Sequence, residues 1–428
     1  MLFEHIDFLD EQFTCQKDKF IGIRDGKIAY IGSSRPEGDW GERYDGHHGL
    51  LMSGFVNAHS HAPMVLLRGY AENLPLDRWL NDRVFPFEDK LTDDAVYAST
   101  TLACAEMLRF GTVSFTDMYF FCQSMARAIV SSGIKCNLSR GLTVFSDRGY
   151  KTLDAYRDNL DLLQNFNGMG GGRLKIDLCI HGEYTSTPKV VEEVAHHAKD
   201  VGARMHIHLS ETKKEHEECK QRHGLTPAAY FEKLGLFDQP TTAAHCVWIE
   251  GEDFDILKRK GVTVACNPVS NMKLASGFAP VPQLLDLGIN IALGTDGCAS
   301  NNNLNIMQDL YLFGMLYKGV SGDPTVVTPA QALAAVTVNG FRSQGRMDSG
   351  AIKVGNRADL IVLNTDVPSM YPATDVACNV VYAAQGADVK LTMVDGKVLY
   401  QNGEYTTIDI EKAQFDTQKH TNLILKQL

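Results

Sequence analysis

The chain has 428 residues, 44% hydrophobic and 22% charged, with 41 basic against 52 acidic side chains and a formal net charge of −11. That balance argues against nucleic acid or an anionic membrane surface as the main partner, and the length suits one large barrel plus a smaller domain. No apolar run reaches about 18 residues, so no transmembrane helix is expected.

In chain order, Met1–Asp7 lacks a basic region and a long apolar core, so no signal peptide is expected. Residues 18–32 alternate around Asp25-Gly26, a hairpin turn signal. From about residue 50 to 350, apolar strands alternate with helical stretches. The predicted strands cover about 51–60, 112–119, 135–142, 174–181, 204–210, 241–246, 262–267 and 290–295. Thr187-Pro188, Thr226-Pro227 and Thr328-Pro329 each put a capping threonine before a proline at the first helical position. The run Gly168-Met169-Gly170-Gly171-Gly172 reads as a flexible loop; no Gly-Lys-Ser/Thr follows to make a phosphate cradle. Towards the C-terminus, 359–363 is a strand, and 391–405 alternates around Asp395-Gly396 and Asn402-Gly403.

Eight strand–helix repeats argue an α/β fold with a closed (β/α)8 TIM-like barrel over 54–350. An open doubly wound sheet is the runner-up, but no Gly-X-Gly-X-X-Gly follows the first strand. Residues 1–53 and 351–428 are both β-rich, and neither has enough strands to bury a core alone. They are expected to form one small β-sandwich domain together. The ten cysteines are scattered without a Cys-X-X-Cys pair; Cys179, Cys246 and Cys266 lie in apolar strands. They read as small buried hydrophobes in a reducing, cytoplasmic setting.

Four strand ends carry chemistry. His59-Ser60-His61 puts two imidazoles on one side of a strand, within reach of one metal ion. The apolar run Leu50-Leu51-Met52, then Phe55-Val56, leads into it. Met205-His206-Ile207-His208-Leu209-Ser210-Glu211, Thr242-Ala243-Ala244-His245-Cys246 and Ala292-Leu293-Gly294-Thr295-Asp296-Gly297 follow the same plan. Together and in this order, the four motifs resemble the amidohydrolase superfamily of metal-dependent hydrolases, over essentially the whole chain.

His59, His61, His208 and Asp296 would supply three nitrogens and one carboxylate oxygen, a set suited to Zn²⁺ and also acceptable to Fe²⁺. His206 and His208 share a strand face, so periodicity leaves both open. The His-X-X-Glu pattern of the deaminase branches selects His208 with Glu211 and leaves His206 one layer deeper. Some members of the superfamily use a carboxylated lysine at the end of the fourth strand. Here that strand ends in His181, and Lys175 lies at its start, which argues for a single metal. A mononuclear site beside a glutamate fits deamination of a ring amidine. Glu211 would protonate the ring nitrogen, Asp296 would take a proton from the water nucleophile and pass it to leaving ammonia, and His245 would stabilise the attacking oxygen. Glu215, Glu217 and Glu218 read as a charged, solvated face.

The loop from His61 to Glu72, then Trp79-Leu80 and Phe85-Pro86-Phe87-Glu88, with Ala243–Val247, Asn267–Leu274 and Gly294–Asn302, is similar to the 5′-methylthioadenosine/S-adenosylhomocysteine deaminase family. The resemblance implies a small-molecule nucleoside as substrate. Glu88 would bind the ribose hydroxyls, Trp79 would wall the pocket and His181 would contact the purine. Arg140, and Arg148 in a poorer match, would hold an amino-acid carboxylate. The enzymes related to this family that act on s-triazines, pterins or guanine are the alternative, and a non-catalytic scaffold of the same fold is a third reading. The nucleoside is expected to be the only partner class, apart from further copies of the chain in a homo-oligomer.

Overall fold

The computed structural model describes residues 1–428. Leu2–Leu9 (β1), Cys15–Arg24 (β2), Lys27–Gly32 (β3), Arg43–Asp45 (β4) and Gly49–Ser53 (β5) open the chain. Phe55–His61 (β6), Thr112–Tyr119 (β7), Lys135–Arg140 (β8), Leu174–Ile176 (β9) and Leu178–Cys179 (β10) follow, then Met205–Leu209 (β11), Thr241–His245 (β12), Thr263–Cys266 (β13), Ile291–Leu293 (β14) and Asp296–Gly297 (β15). Leu360–Asn364 (β16), Val389–Val394 (β17), Lys397–Gln401 (β18) and Glu404–Tyr405 (β19) close it.

β6 to β15 make two five-stranded parallel sheets, ordered β15-β6-β7-β8-β9 and β10-β11-β12-β13-β14. The fourth barrel strand is divided at Asp177, whose N–H donates back to Leu138 O at 2.9 Å, while Leu178 N–H donates forward to Arg204 O at 2.9 Å. The eighth is divided at Gly294-Thr295, and its second piece pairs with β6, Asp296 opposite Ser60. The two sheets thus close into one barrel. The threonine caps form as expected: Thr187, Thr226 and Thr328 accept from the backbone N–H groups of Val190, Ala229 and Gln331.

The expected first strand, 51–60, is two strands in two sheets. Gly54 marks the break; its N–H donates to Asp359 O, and a Cβ there would sit 2.3 Å from Val113 Cγ1. The apolar run before it therefore belongs to the sheet of the chain ends. That sheet has nine strands, ordered β19-β18-β17-β16-β5-β1-β2-β3 with β4 beside β1. Leu50 and Met52 face the barrel core, whereas Leu51 faces a second core with Phe3, Ile21, Leu360 and Leu391. Period-two alternation thus gives one buried strand two hydrophobic faces. The sandwich is one continuous sheet curled so that the turn at Asp25-Gly26 meets the turn at Asp395-Gly396. Both turn residues have positive φ, 52° and 75° in the first and 46° and 75° in the second, as tight hairpins of this type require. The C-terminal helix, Ile410–Leu425, returns to pack on the barrel helix Asp93–Arg109. At 168–172 the glycines form a tight left-handed turn before β9.

One buried ion pair ties the two parts together. Lys135 Nζ, on β8, lies 2.5 Å from Asp359 Oδ2 and 2.8 Å from Asp395 Oδ1. Replacing Lys135 with methionine leaves the fully buried Asp359 carboxylate without its cation, while Asp395 keeps Arg357 at 3.5 Å. A loss of at least about 3 kcal/mol is expected, the scale for breaking a buried pair from one side. A urea unfolding curve measures it; an unchanged midpoint would show that the lysine contributes no net stability.

Candidate metal and active site

The chemistry lies at the C-terminal ends of the barrel strands: His59 and His61 on β6, His208 on β11, His245 on β12 and Asp296 on β15. Three residues here, Ser210, His245 and Asp296, have left-handed backbones at φ 47°, 72° and 62°. Such strained turns persist only where the surroundings over-determine them.

Backbone carbonyls orient the imidazoles. His61 Nδ1 lies 2.8 Å from Met118 O, and His208 Nδ1 lies 2.7 Å from His181 O. Each must donate there, so each Nε2 keeps its lone pair for the centre. Those two Nε2 atoms are 3.3 Å apart. Asp296 Oδ1 stands 3.3 Å from His59 Nε2 and 3.2 Å from His61 Nε2. Its other oxygen accepts from the hydroxyls of Ser270 and Ser300 at 2.6 and 2.9 Å. His206 sits behind the site, its Nε2 3.0 Å from His59 Nδ1. It therefore orients His59 and leaves the position facing the centre to His208.

Electrostatics fit a cation. Burial drives His59 down to about 3 and holds His206 and His208 well below the ordinary range. Burial opposes charge on His61 too, but the Asp296 carboxylate overcomes it and raises the group to about 9. Burial would likewise protonate Asp296; the adjacent His59 and His61 rings outweigh it and hold the carboxyl well below the ordinary range. His59 Nε2 is buried with no hydrogen-bond partner. His59 and His208 held neutral, one ionised carboxylate and a buried unpartnered His59 nitrogen meet at one point, a set that suits a divalent metal, with the cation taking the place of the proton that His61 would otherwise hold. His245 belongs to the same cluster, with a ring nitrogen within 4.8 Å of one on His59 and one on His208. Its Nδ1 faces Asn271 Oδ1 at 2.8 Å, and its Nε2 lies 3.7 Å from Glu211 Oε2.

Glu211 follows β11, buried, with Oε1 accepting from Ser276 Oγ at 3.3 Å. Burial raises its carboxyl above the ordinary range. Glu215 departs from the expected solvated face: it is buried, and its carboxylate accepts from the backbone N–H groups of Ser210 and Glu211 at 3.0 and 2.8 Å. Four residues on at the start of the helix Lys213–His223, it reaches back to clamp the strained turn that presents Glu211.

Beside these groups opens a cavity lined by Trp79, Glu88, Tyr119, His181 and Leu274, among others. The Trp79 indole is fixed by donation to Ala71 O at 3.1 Å. Burial pushes Glu88 up to about 7, with the Tyr119 hydroxyl beside it. His181 is lowered by burial to about 4, its Nδ1 2.9 Å from Thr185 Oγ1. The two arginines lie outside the lining. Arg140 Nε donates to Asp158 Oδ2 at 2.9 Å, and Arg148 is exposed and donates to Thr152 O at 2.7 Å. Ser270, Asn271 and Ser300 fall inside legible motifs, but their roles depend on contacts between strands that spacing does not reveal. Tyr119 had no signal beyond its place at the end of a strand.

The profile of the Amidohydrolase family matches residues 50–399. The chain belongs to the amidohydrolase family. Among related amidohydrolases, a 5-methylthioadenosine/S-adenosylhomocysteine deaminase of Moorella thermoacetica is 42% identical over 94% of both chains. A 5′-deoxyadenosine deaminase of Methanothermobacter thermautotrophicus is 40% identical over 90% of both. An adenosine deaminase of Xanthomonas campestris, solved with bound zinc, superposes with a TM-score of 0.92 at 28% identity, covering 99% of this chain and 98% of that one. The imidazole and carboxylate cluster could hold the divalent metal that amidohydrolase relatives such as the zinc-bound adenosine deaminase carry.

Proposed function

We propose that this amidohydrolase deaminates adenosine-type nucleosides, giving the inosine analogue and ammonia. The observation that carries the reading is the meeting of three things in one cavity: the metal donor set, the buried acid Glu211, and the second carboxyl group Glu88. The names of the related chains support the substrate class. His59, His61, His208 and Asp296 would hold the ion, Zn²⁺ ahead of Fe²⁺ for a site rich in imidazole. When bound, such an ion lowers the pKa of water to roughly 7 and so supplies hydroxide at neutral pH.

The residues of the chain do the rest. Glu211 delivers a proton to the ring nitrogen next to the amino-bearing carbon, so that addition of water does not leave an anion on the ring. Asp296, steadied by Ser270 and Ser300, accepts a proton from the attacking water and returns one to the departing amine. His245, fixed by Asn271, orients the attacking oxygen through Nε2. Trp79 and His181 bracket the base, and Glu88 accepts from the ribose hydroxyls. An ammonia-release screen tests this across adenosine, 5′-methylthioadenosine, S-adenosylhomocysteine, guanine and pterins. Turnover is expected among the nucleosides; a best substrate lacking ribose would overturn the reading.

Glu88→Ala is expected to weaken kcat/KM for nucleosides at least about tenfold, since hydrogen bonds to a charged group contribute roughly 1.5–3 kcal/mol each. Free adenine, if turned over, should be indifferent to the change. The ionised, acceptor-only form of Glu88 builds up as pH rises through about 7. Nucleoside KM should therefore fall from about pH 6 to about pH 8, and Glu88→Gln should flatten that limb. Equal losses on base and nucleoside would remove Glu88 from the ribose site.

A further inference from the structure

We infer that the cavity selects nucleosides with an uncharged 5′ substituent, and that Asp158 sets this preference by holding Arg140. The inference rests on the nucleoside reading above. Away from the histidines, the lining is largely apolar: Leu76, Leu80, Phe85, Met118 and Phe120 form much of it. No lysine or arginine lines the cavity, and its carboxyl groups are Glu88, Glu211 and Asp296. A 5′ tail ending in an amino acid would bring its own carboxylate into these surroundings without a cation to meet it. Burying a charge unpaired is costly. A methylthio, hydroxyl or hydrogen substituent meets the same wall without that penalty.

One cation stands directly behind the lining. Arg140 precedes Gly141 and its guanidinium lies 5.0 Å from the ring centre of Phe120, and both neighbours line the cavity. The guanidinium is already partly engaged. Nε donates to Asp158 at 2.9 Å, and a terminal nitrogen donates to Gly141 O. Asp158, on the helix Asp154–Asp161, thereby neutralises the arginine that flanks this lining. A carboxylate on the substrate would have to share this guanidinium with a carboxylate of the protein. Asp158 touches neither the reacting atoms nor the metal donors, so its role is to position Arg140.

The test compares kcat/KM for 5′-methylthioadenosine and S-adenosylhomocysteine. They share base and ribose, so their ratio cancels effects on folding, metal and chemistry. The unmodified protein is expected to favour 5′-methylthioadenosine by about tenfold or more, the scale of one charged hydrogen bond left unmade. Asp158→Asn keeps the size and one acceptor but removes the charge. It should move the ratio towards S-adenosylhomocysteine by about tenfold. Arg140→Gln added to that variant should cancel the gain. Equal use of both nucleosides by the unmodified protein would overturn the inference. So would an Asp158→Asn variant that changes both substrates by one factor, which would assign Asp158 to packing. Turnover of guanine or a pterin with neither nucleoside deaminated would instead overturn the nucleoside reading, and the inference with it.

Discussion

Glu211→Gln is expected to keep its metal and lose about 10²- to 10⁴-fold in kcat, the usual cost of removing a general acid. The amide has the size of the carboxyl and can still accept from Ser276. Its backbone N–H stays clamped by Glu215, so the turn after β11 should survive. What it cannot do is give a proton to the ring nitrogen. Burial raises the carboxyl, which favours the protonated form this step needs. The change should appear in kcat more than in KM, because the proton moves in the transition state and not on binding. Steady-state kinetics and metal content on one preparation separate the two effects. Near-normal kcat would show that another group protonates the substrate; lost metal would show that Glu211 supports the donor set.

The site was more legible than the fold around it, for a physical reason. Candidate metal donors and acid–base groups stand at strand ends in short motifs, so His59, His61, His208, His245 and Asp296 announce themselves locally. The strand carrying Leu50-Leu51-Met52 shows the limit. Its apolar pattern is continuous with β6, and nothing local says that Gly54 sends the two halves into different sheets. The close approach of Val113, far along the chain, decides that. The divided fourth and eighth strands are similar, since the breaks at Asp177 and Gly294-Thr295 follow from closing a barrel. The partners of charged groups were hidden as well. Glu215 sits among exposed glutamates in sequence yet folds back as a buried clamp. Arg140 matches a family pattern for holding a substrate carboxylate, and its pairing with Asp158, eighteen positions on, was equally illegible.

Loss of the metal should follow from His208→Ala. His208 brings an Nε2 lone pair to the centre from β11, and its Nδ1 is spent on His181 O. His206, on the same strand face, cannot replace it, because it is turned to His59. His206→Ala is the matching control. Removing a group that only orients a ligand typically weakens metal binding about 10- to 100-fold. Removing a ligand should exceed that, leaving far less than one equivalent after dialysis and turnover near background. Elemental analysis of the unmodified protein should give about one divalent ion per chain. Lys175, the residue of the fourth strand that could bridge a second ion if carboxylated, donates instead to Gln344 O and to Gly345 O, the latter at 2.9 Å, beyond the opposite end of the strands. Two ions at full occupancy would overturn the single-metal reading. Comparable metal loss in the two histidine variants would mean that His206 and His208 do not divide the roles of support and ligand.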